Sequence, residues 1–272
     1  MNPWLESIAV TLLAIAGVVL GRWFGRLPKP YWLFGYFIPL VLIVLYALAM
    51  RFPAFSIIPP VSWMMMGRNK FAVIGFVTTL VLTTPLSRLK PARVRVLVSI
   101  LMGLMVVSSS IWPFLAPAFN RSYLASLTTK LDNDGICRQS NEYNCGPAAA
   151  VTALRKLGFP AEEGEIAIQA HTSSATGTPP DILARTLQEK YGSQGLSSEY
   201  RVFHDLAELK AAGLSLAVIK YSFWVDHYVT VLEVKDEEIV AGDPFHGLRR
   251  FSRGEFERKW RFVGIVLKRK MN

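Results

Sequence analysis

Gln139-Ser-Asn-Glu-Tyr-Asn-Cys145-Gly-Pro-Ala-Ala-Ala-Val151 is the stretch on which the reading of this chain turns. Pro147 suits the first turn of a helix. Val151 and Leu154 fall on one face and Gly158 is a natural stop, so a helix is expected over 145–157. Cys145 then opens that helix. The unpaired N–H groups and the positive end of the helix dipole favour a thiolate there. Cys145 is therefore a candidate nucleophile, set against the commoner fate of a lone cysteine, burial as a small apolar residue. Cys137, the second of two cysteines, reads as structural or redox-active. Two cysteines exclude a disulfide-rich scaffold and a four-cysteine zinc site. No cofactor and no metal are expected.

A thiol nucleophile needs a base, and the base needs a group to orient it. The histidines are His171, His204, His227 and His246. His171 lies in a Thr/Ser/Gly-rich loop, His204 opens a polar helix start, and His246 sits in a turn between Pro244 and Gly247. His227 precedes Tyr228-Val-Thr-Val-Leu-Glu-Val234, whose alternation predicts a strand. A strand rim holds a side chain rigidly, which a base requires. Asp243 ends the next predicted strand, Glu238-Ile-Val-Ala-Gly, and a hairpin would bring it towards His227. Spacing alone leaves His227 equally readable as a solvated strand-edge residue. Asp243-Pro244 alone reads as a turn start.

Taken jointly, Gln-x5-Cys-Gly-Pro-Ala, a His before an alternating strand and an Asp-Pro 16 residues later resemble the C39 cysteine peptidases, papain-like domains that process leader peptides. The resemblance spans roughly residues 132–268. It includes Gly177-Thr-Pro-Pro-Asp-Ile-Leu183 at a second long helix and Gly247 to Trp260 as a closing turn, strand and helix. It implies Cys145 as nucleophile, His227 as general base and acid, Asp243 as the group orienting His227, and Gln139 as an oxyanion-hole donor beside the Cys145 N–H. It also implies a substrate peptide cut after a Gly-Gly pair. Phe223, Trp224 and Tyr228 are candidates for narrowing the cleft, although core packing is the ordinary role of each. Two other readings remain open: a non-cleaving peptide-binding module serving a transporter, and an acyl-transferring enzyme of the same fold.

Outward from the motif, the composition changes sharply. The chain has 272 residues, 18% of them charged, and a mean hydropathy of +0.31, where a soluble domain carries about 25% charged residues. Residues 1–123 hold 11 Lys plus Arg and one acid, Glu6, while residues 124–272 hold 19 of each sign. The net charge of +10 thus lies wholly in the apolar half, which excludes a nucleic-acid partner. No P-loop occurs, unlike the best-known C39 members, which join the peptidase to a six-span exporter and an ATPase.

Spans are expected near 4–23, 31–50, 71–87 and 96–118, each long enough for a bilayer. A signal peptide is the alternative for the first. Phe52 to Gly67 holds Pro53, Pro59 and Pro60 and reads as an interfacial or re-entrant loop, with a fifth span as the competing view. Arg22, Arg26, Lys29, Arg88, Lys90, Arg93 and Arg95 fall on one side of a four-span layout; Arg51, Arg68 and Lys70 fall on the other. The richer side belongs in the cytoplasm, which would put the second half outside it.

The expected architecture is an all-α membrane domain of about four transmembrane helices, residues 1–124, followed by an α+β papain-like cysteine peptidase domain, residues 125–272. Helices are expected near 145–157, 163–170, 179–191, 204–212 and 253–260, and strands near 214–221, 227–234, 237–242, 248–251 and 262–268. The expected partners are a peptide or protein substrate, the lipid bilayer and a separate exporter.

Overall fold

The computed structural model describes residues 2–270 except 53, 54, 56, 57, 87, 223 and 224. Pro53, Ser87, Phe223 and Trp224 therefore lie outside the described residues. The chain forms two compact units, Met1–Ala118 and Phe119–Asn272.

The first unit is built from α1 (Pro3–Arg26), α2 (Phe34–Arg51), the short α3 (Val61–Met65), α4 (Asn69–Leu86) and α5 (Ala92–Val106), with α6 (Trp112–Ala125) running on into the second. A π turn over Val107–Ile111 joins α5 to α6. Four helical stretches, Pro3–Arg26, Tyr31–Arg51, Asn69–Leu86 and Ala92–Ala125, are long and apolar enough to cross a membrane. The last is longer than the charge-free run suggests. It starts at Ala92, with Pro91 as its N-cap, and so takes in Arg93 and Arg95. The proline-containing stretch after α2 holds α3 instead of a bare loop.

Packing here uses small and hydroxyl residues. A Cβ on Gly21 would lie 2.9 Å from the Leu80 carbonyl oxygen and 2.9 Å from Thr83 Cβ, so a glycine is needed for α1 to approach α4 so closely. The buried threonines of α4 return their hydroxyls to their own helix. Thr79 donates to the Gly75 carbonyl at 2.9 Å and Thr84 to that of Leu80 at 2.7 Å. No bare hydroxyl is then left at either position in an apolar setting. Leu12, Val19, Phe37, Leu40, Val96 and Leu104 point outward and are exposed, an apolar surface of the kind lipid covers.

The second unit opens with a two-stranded ribbon, β1 (Lys130–Leu131) and β2 (Cys137–Arg138). Three helices follow: α7 (Cys145–Lys156), α8 (Glu163–Gln169) and α9 (Pro180–Tyr191). Then come β3 (Leu196–Val202), α10 (Leu206–Ala212), β4 (Ser215–Lys220), β5 (Asp226–Val234), β6 (Glu238–Asp243), β7 (Gly247–Ser252), α11 (Arg253–Lys259) and β8 (Trp260–Arg269). The last six strands form an antiparallel sheet in the order β3-β8-β4-β5-β6-β7.

This sheet is covered on both faces. Ala148, Ala149, Ala150, Val151, Ala153 and Leu154 of α7 are fully buried, and they cluster with Leu216, Val218 and Tyr228. Short alanine side chains let α7 lie close to the strands; Thr230 of β5 donates to the Ala149 carbonyl at 2.8 Å. The alternate residues of β5, Val229 and Val231, join Phe251, Phe256 and Trp260 in a second cluster. That is the period-two alternation of a strand with two apolar faces. Two short helices are capped by side chains. Asp205 accepts from the Glu208 N–H at 2.8 Å, and Ser252 accepts from that of Glu255 at 3.3 Å.

Candidate active site

Cys145 is the first residue of α7 and is buried, 8% exposed. The glycine after it sits in a tightly packed place. A Cβ on Gly146 would meet Leu183 and the Tyr228 ring, each at 3.3 Å. Tyr228 is buried and donates its hydroxyl to the Thr178 carbonyl at 2.8 Å. It therefore closes the core behind the helix start.

The sheet register brings the base and its orienting group together. Thr230 pairs with Gly242 across β5 and β6. Continuing by one residue sets Asp243 opposite Val229, and His227, two residues earlier on the same side, falls diagonal to it. His227 Nε2 and Asp243 Oδ1 lie 2.9 Å apart, with the two residues 6% and 1% exposed. The Cys145 thiol is a second hydrogen-bond partner of the His227 side chain. The imidazole thus bridges thiol and carboxylate.

Electrostatics favour a charged imidazole. Burial acts to lower the His227 pKa, but hydrogen bonds from its ring to Asp243 and Cys145, and the charges of both, outweigh it and push it up to about 9. Burial likewise opposes ionisation of Asp243, yet its contacts with His227, the Phe245 N–H and His246 hold its carboxyl well below the usual carboxylate range. The pair is therefore an imidazolium and a carboxylate at neutral pH.

Asp243 does more than the sequence suggests. Its Oδ1 also accepts from the Phe245 N–H at 2.8 Å. Its Oδ2 lies 3.0 Å from His246 Nδ1 and 3.5 Å from an Arg249 guanidinium nitrogen. His246, which reads as a turn residue, is thus a second imidazole on the same carboxylate. Of the other two histidines, His204 is exposed and bonded to Glu208 at 2.9 Å, and His171 has a left-handed backbone, φ 49°. One exposed aromatic borders His227: the Tyr221 ring lies 5.7 Å from the imidazole, and 6.4 Å from the ring of Phe245, which is also exposed.

Gln139 joins the site through its backbone and its amide. Its N–H donates to the Pro244 carbonyl at 3.0 Å, which ties the segment before Cys145 to the turn after Asp243. One N–H of its side-chain amide donates to the Asn141 carbonyl at 2.8 Å. An amide nitrogen carries two protons, so the second remains for another acceptor. Arg138 secures the same turn by donating to the Phe245 carbonyl.

Behind this segment sits Glu163, fully buried at the start of α8. Its carboxylate accepts from the Ser140 N–H at 2.9 Å, the Ser140 hydroxyl at 2.7 Å and the Asn144 amide at 3.0 Å. Sequence patterning shows Glu163 only as an acid in a first helical turn. Cys137 is fully buried, and both it and Cys145 are free of any disulfide. Burial, reinforced by the Glu163 charge, pushes the Cys137 thiol up to about 12. A thiol held protonated in this way is a packing group and a poor nucleophile.

Among the described residues no cluster of His, Cys, Asp and Glu suits a metal ion. Residues 133–272 match the Peptidase C39 family. An uncharacterized protein of Methanothermobacter marburgensis is 32% identical over 137 residues, covering 50% of this chain and 89% of that protein. A second, from Methanothermobacter thermautotrophicus, is 28% identical over 141 residues, covering 52% and 92%. Among solved structures, a double glycine motif protease from an AMS/PCAT transporter, in complex with the leader peptide, is 15% identical with a TM-score of 0.42, covering 53% of this chain and 96% of that one. The peptidase domain of Streptococcus ComA, a bi-functional ABC transporter of a quorum-sensing pathway, is 18% identical with a TM-score of 0.42, covering 49% and 96%.

Proposed function

Because this chain belongs to the Peptidase C39 family, we propose that it is a membrane-anchored cysteine endopeptidase that cuts a leader or precursor peptide after a Gly-Gly type site. The observation that carries the proposal is the buried relay of Cys145, His227 and Asp243, with His227 2.9 Å from Asp243 and hydrogen-bonded to the thiol. The Gly-Gly preference is carried over from the family.

In this reading Cys145 reacts as a thiolate paired with the His227 imidazolium. Its sulfur attacks the scissile carbonyl carbon, and the carbonyl oxygen takes up the electron pair. The Cys145 N–H and the second N–H of Gln139 stabilise that oxyanion. His227 then gives its proton to the departing amine as the C–N bond breaks, leaving a thioester on Cys145. Neutral His227 next takes a proton from water, whose oxygen attacks the thioester and releases the acid. Asp243 holds the ring in the orientation both transfers need. Among the alternatives, a peptide-binding module has no use for a thiol hydrogen-bonded to a charged imidazole.

The four apolar helices supply the anchor. Seven Lys and Arg at the helix ends and connections on one side against three on the other support an extracytoplasmic peptidase domain, acting on a peptide delivered at the membrane by a separate exporter. The test is cleavage of a Gly-Gly-containing peptide by the full-length chain and by Cys145→Ala. Cleavage by the first alone is expected. Binding without cleavage by both would favour the module reading.

A further inference from the structure

We propose that Glu163 is a positioning residue for the oxyanion hole, clamping from behind the segment that joins Gln139 to Cys145. This rests on the peptidase reading above and concerns a residue whose carboxylate is hydrogen-bonded to the flanks of the catalytic segment, Ser140 and Asn144.

The geometry is specific to that segment. The carboxylate accepts three hydrogen bonds from Ser140 and Asn144, the residue after Gln139 and the residue before Cys145. The two proposed oxyanion donors are therefore held from their inner flanks by one rigid group. Glu163 is itself fixed. It opens α8, is fully buried, and donates its backbone N–H to Thr129 Oγ1 at 2.8 Å.

The chemistry calls for a carboxylate in particular. Oε1 meets the Ser140 N–H and the Asn144 amide and Oε2 meets the Ser140 hydroxyl; glutamine could keep its oxygen on the two N–H donors only by turning its NH2 to the hydroxyl, which replaces charge-assisted bonds with weaker neutral ones. Burying a charge is costly unless it is fully hydrogen-bonded. Fully bonded, it makes shorter and stronger hydrogen bonds than a neutral acceptor. A segment that needed only packing would be served by an apolar side chain. A segment whose two ends must hold donors at a fixed separation from a developing oxyanion gains from the stiffer link, since small displacements of such donors are expensive.

The experiment is a double-mutant cycle on the full-length chain with a Gly-Gly-containing peptide, using Glu163→Gln, Gln139→Ala and the pair. Glu163→Gln is expected to lower kcat about tenfold or more, as a misplaced oxyanion donor does, with KM within about threefold of wild type. If Glu163 acts through Gln139, the double variant is no more than about threefold below Gln139→Ala alone, because coupled residues are not additive. A folded Glu163→Gln with wild-type kcat overturns the proposal, as does full multiplication of the two losses. Should Glu163→Gln fail to fold, Ser140→Ala and Asn144→Ala each remove one donor. Losses of about threefold or more in kcat are then expected, and full kcat in both overturns the clamp. Should the wild-type chain cut no peptide, the peptidase reading fails on its own ground. The clamp is then decided by the binding of a Gly-Gly peptide aldehyde, whose hemithioacetal oxygen occupies the hole: a Kd at least about tenfold weaker in Glu163→Gln supports it and an equal Kd overturns it.

Discussion

Replacing Asp243 with asparagine removes one charge from the relay and leaves its shape nearly intact. The asparagine amide would keep an oxygen for His227 and for the Phe245 and His246 N–H groups, the three donors now on Oδ1. It would turn an NH2 towards His246 and Arg249, where Oδ2 now sits. The rise of the His227 pKa from 6.5 to about 9 corresponds to about 3 kcal/mol of preference for the imidazolium. Asp243 and Cys145 supply that preference together and outweigh burial as well, so the loss of Asp243 must lower the His227 pKa. Asp243→Asn should therefore lower kcat/KM about tenfold or more, and the alkaline limb of its pH profile should fall from near 9 by about one pH unit or more. The sign follows from the raised pKa. The stabilisation of the charged pair is complete below pH 6.5 and is lost as pH rises through about 9. The assay is kcat/KM against pH on a fluorogenic peptide. An unchanged alkaline limb in a folded Asp243→Asn would refute the assignment of that limb to His227 held by Asp243.

Two further outcomes follow from the same account. Gln139→Ala should reduce kcat by roughly a hundredfold, as loss of one oxyanion donor does, and Gln139→Glu should be at least as damaging; unchanged kcat in both would remove Gln139 from the mechanism. A reporter fused after the peptidase domain should be active only when scored outside the cytoplasm, with the domain open to protease in intact cells; a cytoplasmic, protected domain would reverse the orientation drawn from the loop charges.

The parts legible in the sequence are those with local signals. Pro147 and the alanine run mark α7. Alternation from Tyr228 to Val234 marks β5, and a short turn links it to β6, so Asp243 can be placed near His227. The four helices long and apolar enough to cross a membrane announce themselves by length and lack of charge. β3 carries no such signal. Leu196-Ser-Ser-Glu-Tyr-Arg-Val202 is a polar edge strand, and it pairs with β8, where Leu196 meets Arg269. Burial is largely confined to Leu196, so an apolar alternation is absent. The ribbon of β1 and β2 is too short to show a period. Glu163 and His246 are hidden for another reason. Each bonds to groups whose proximity only the tertiary structure creates: Glu163 meets Ser140 and Asn144 across a helix and a loop, and His246 shares a carboxylate already claimed by His227. Local patterning reports which residues can form a helix or turn. It does not report which polar atoms then face one another.

Site-resolved alkylation followed beside peptide cleavage tests the central claim most directly. Full-length protein is treated with iodoacetamide at pH 6, and the label on each cysteine is measured as activity decays. The account predicts that Cys145 is labelled in step with the loss of cleavage, while Cys137, buried and with its thiol held up at about 12, stays unlabelled in the folded chain. Cleavage that persists after Cys145 is fully labelled, or that disappears with label on Cys137 alone, would contradict it.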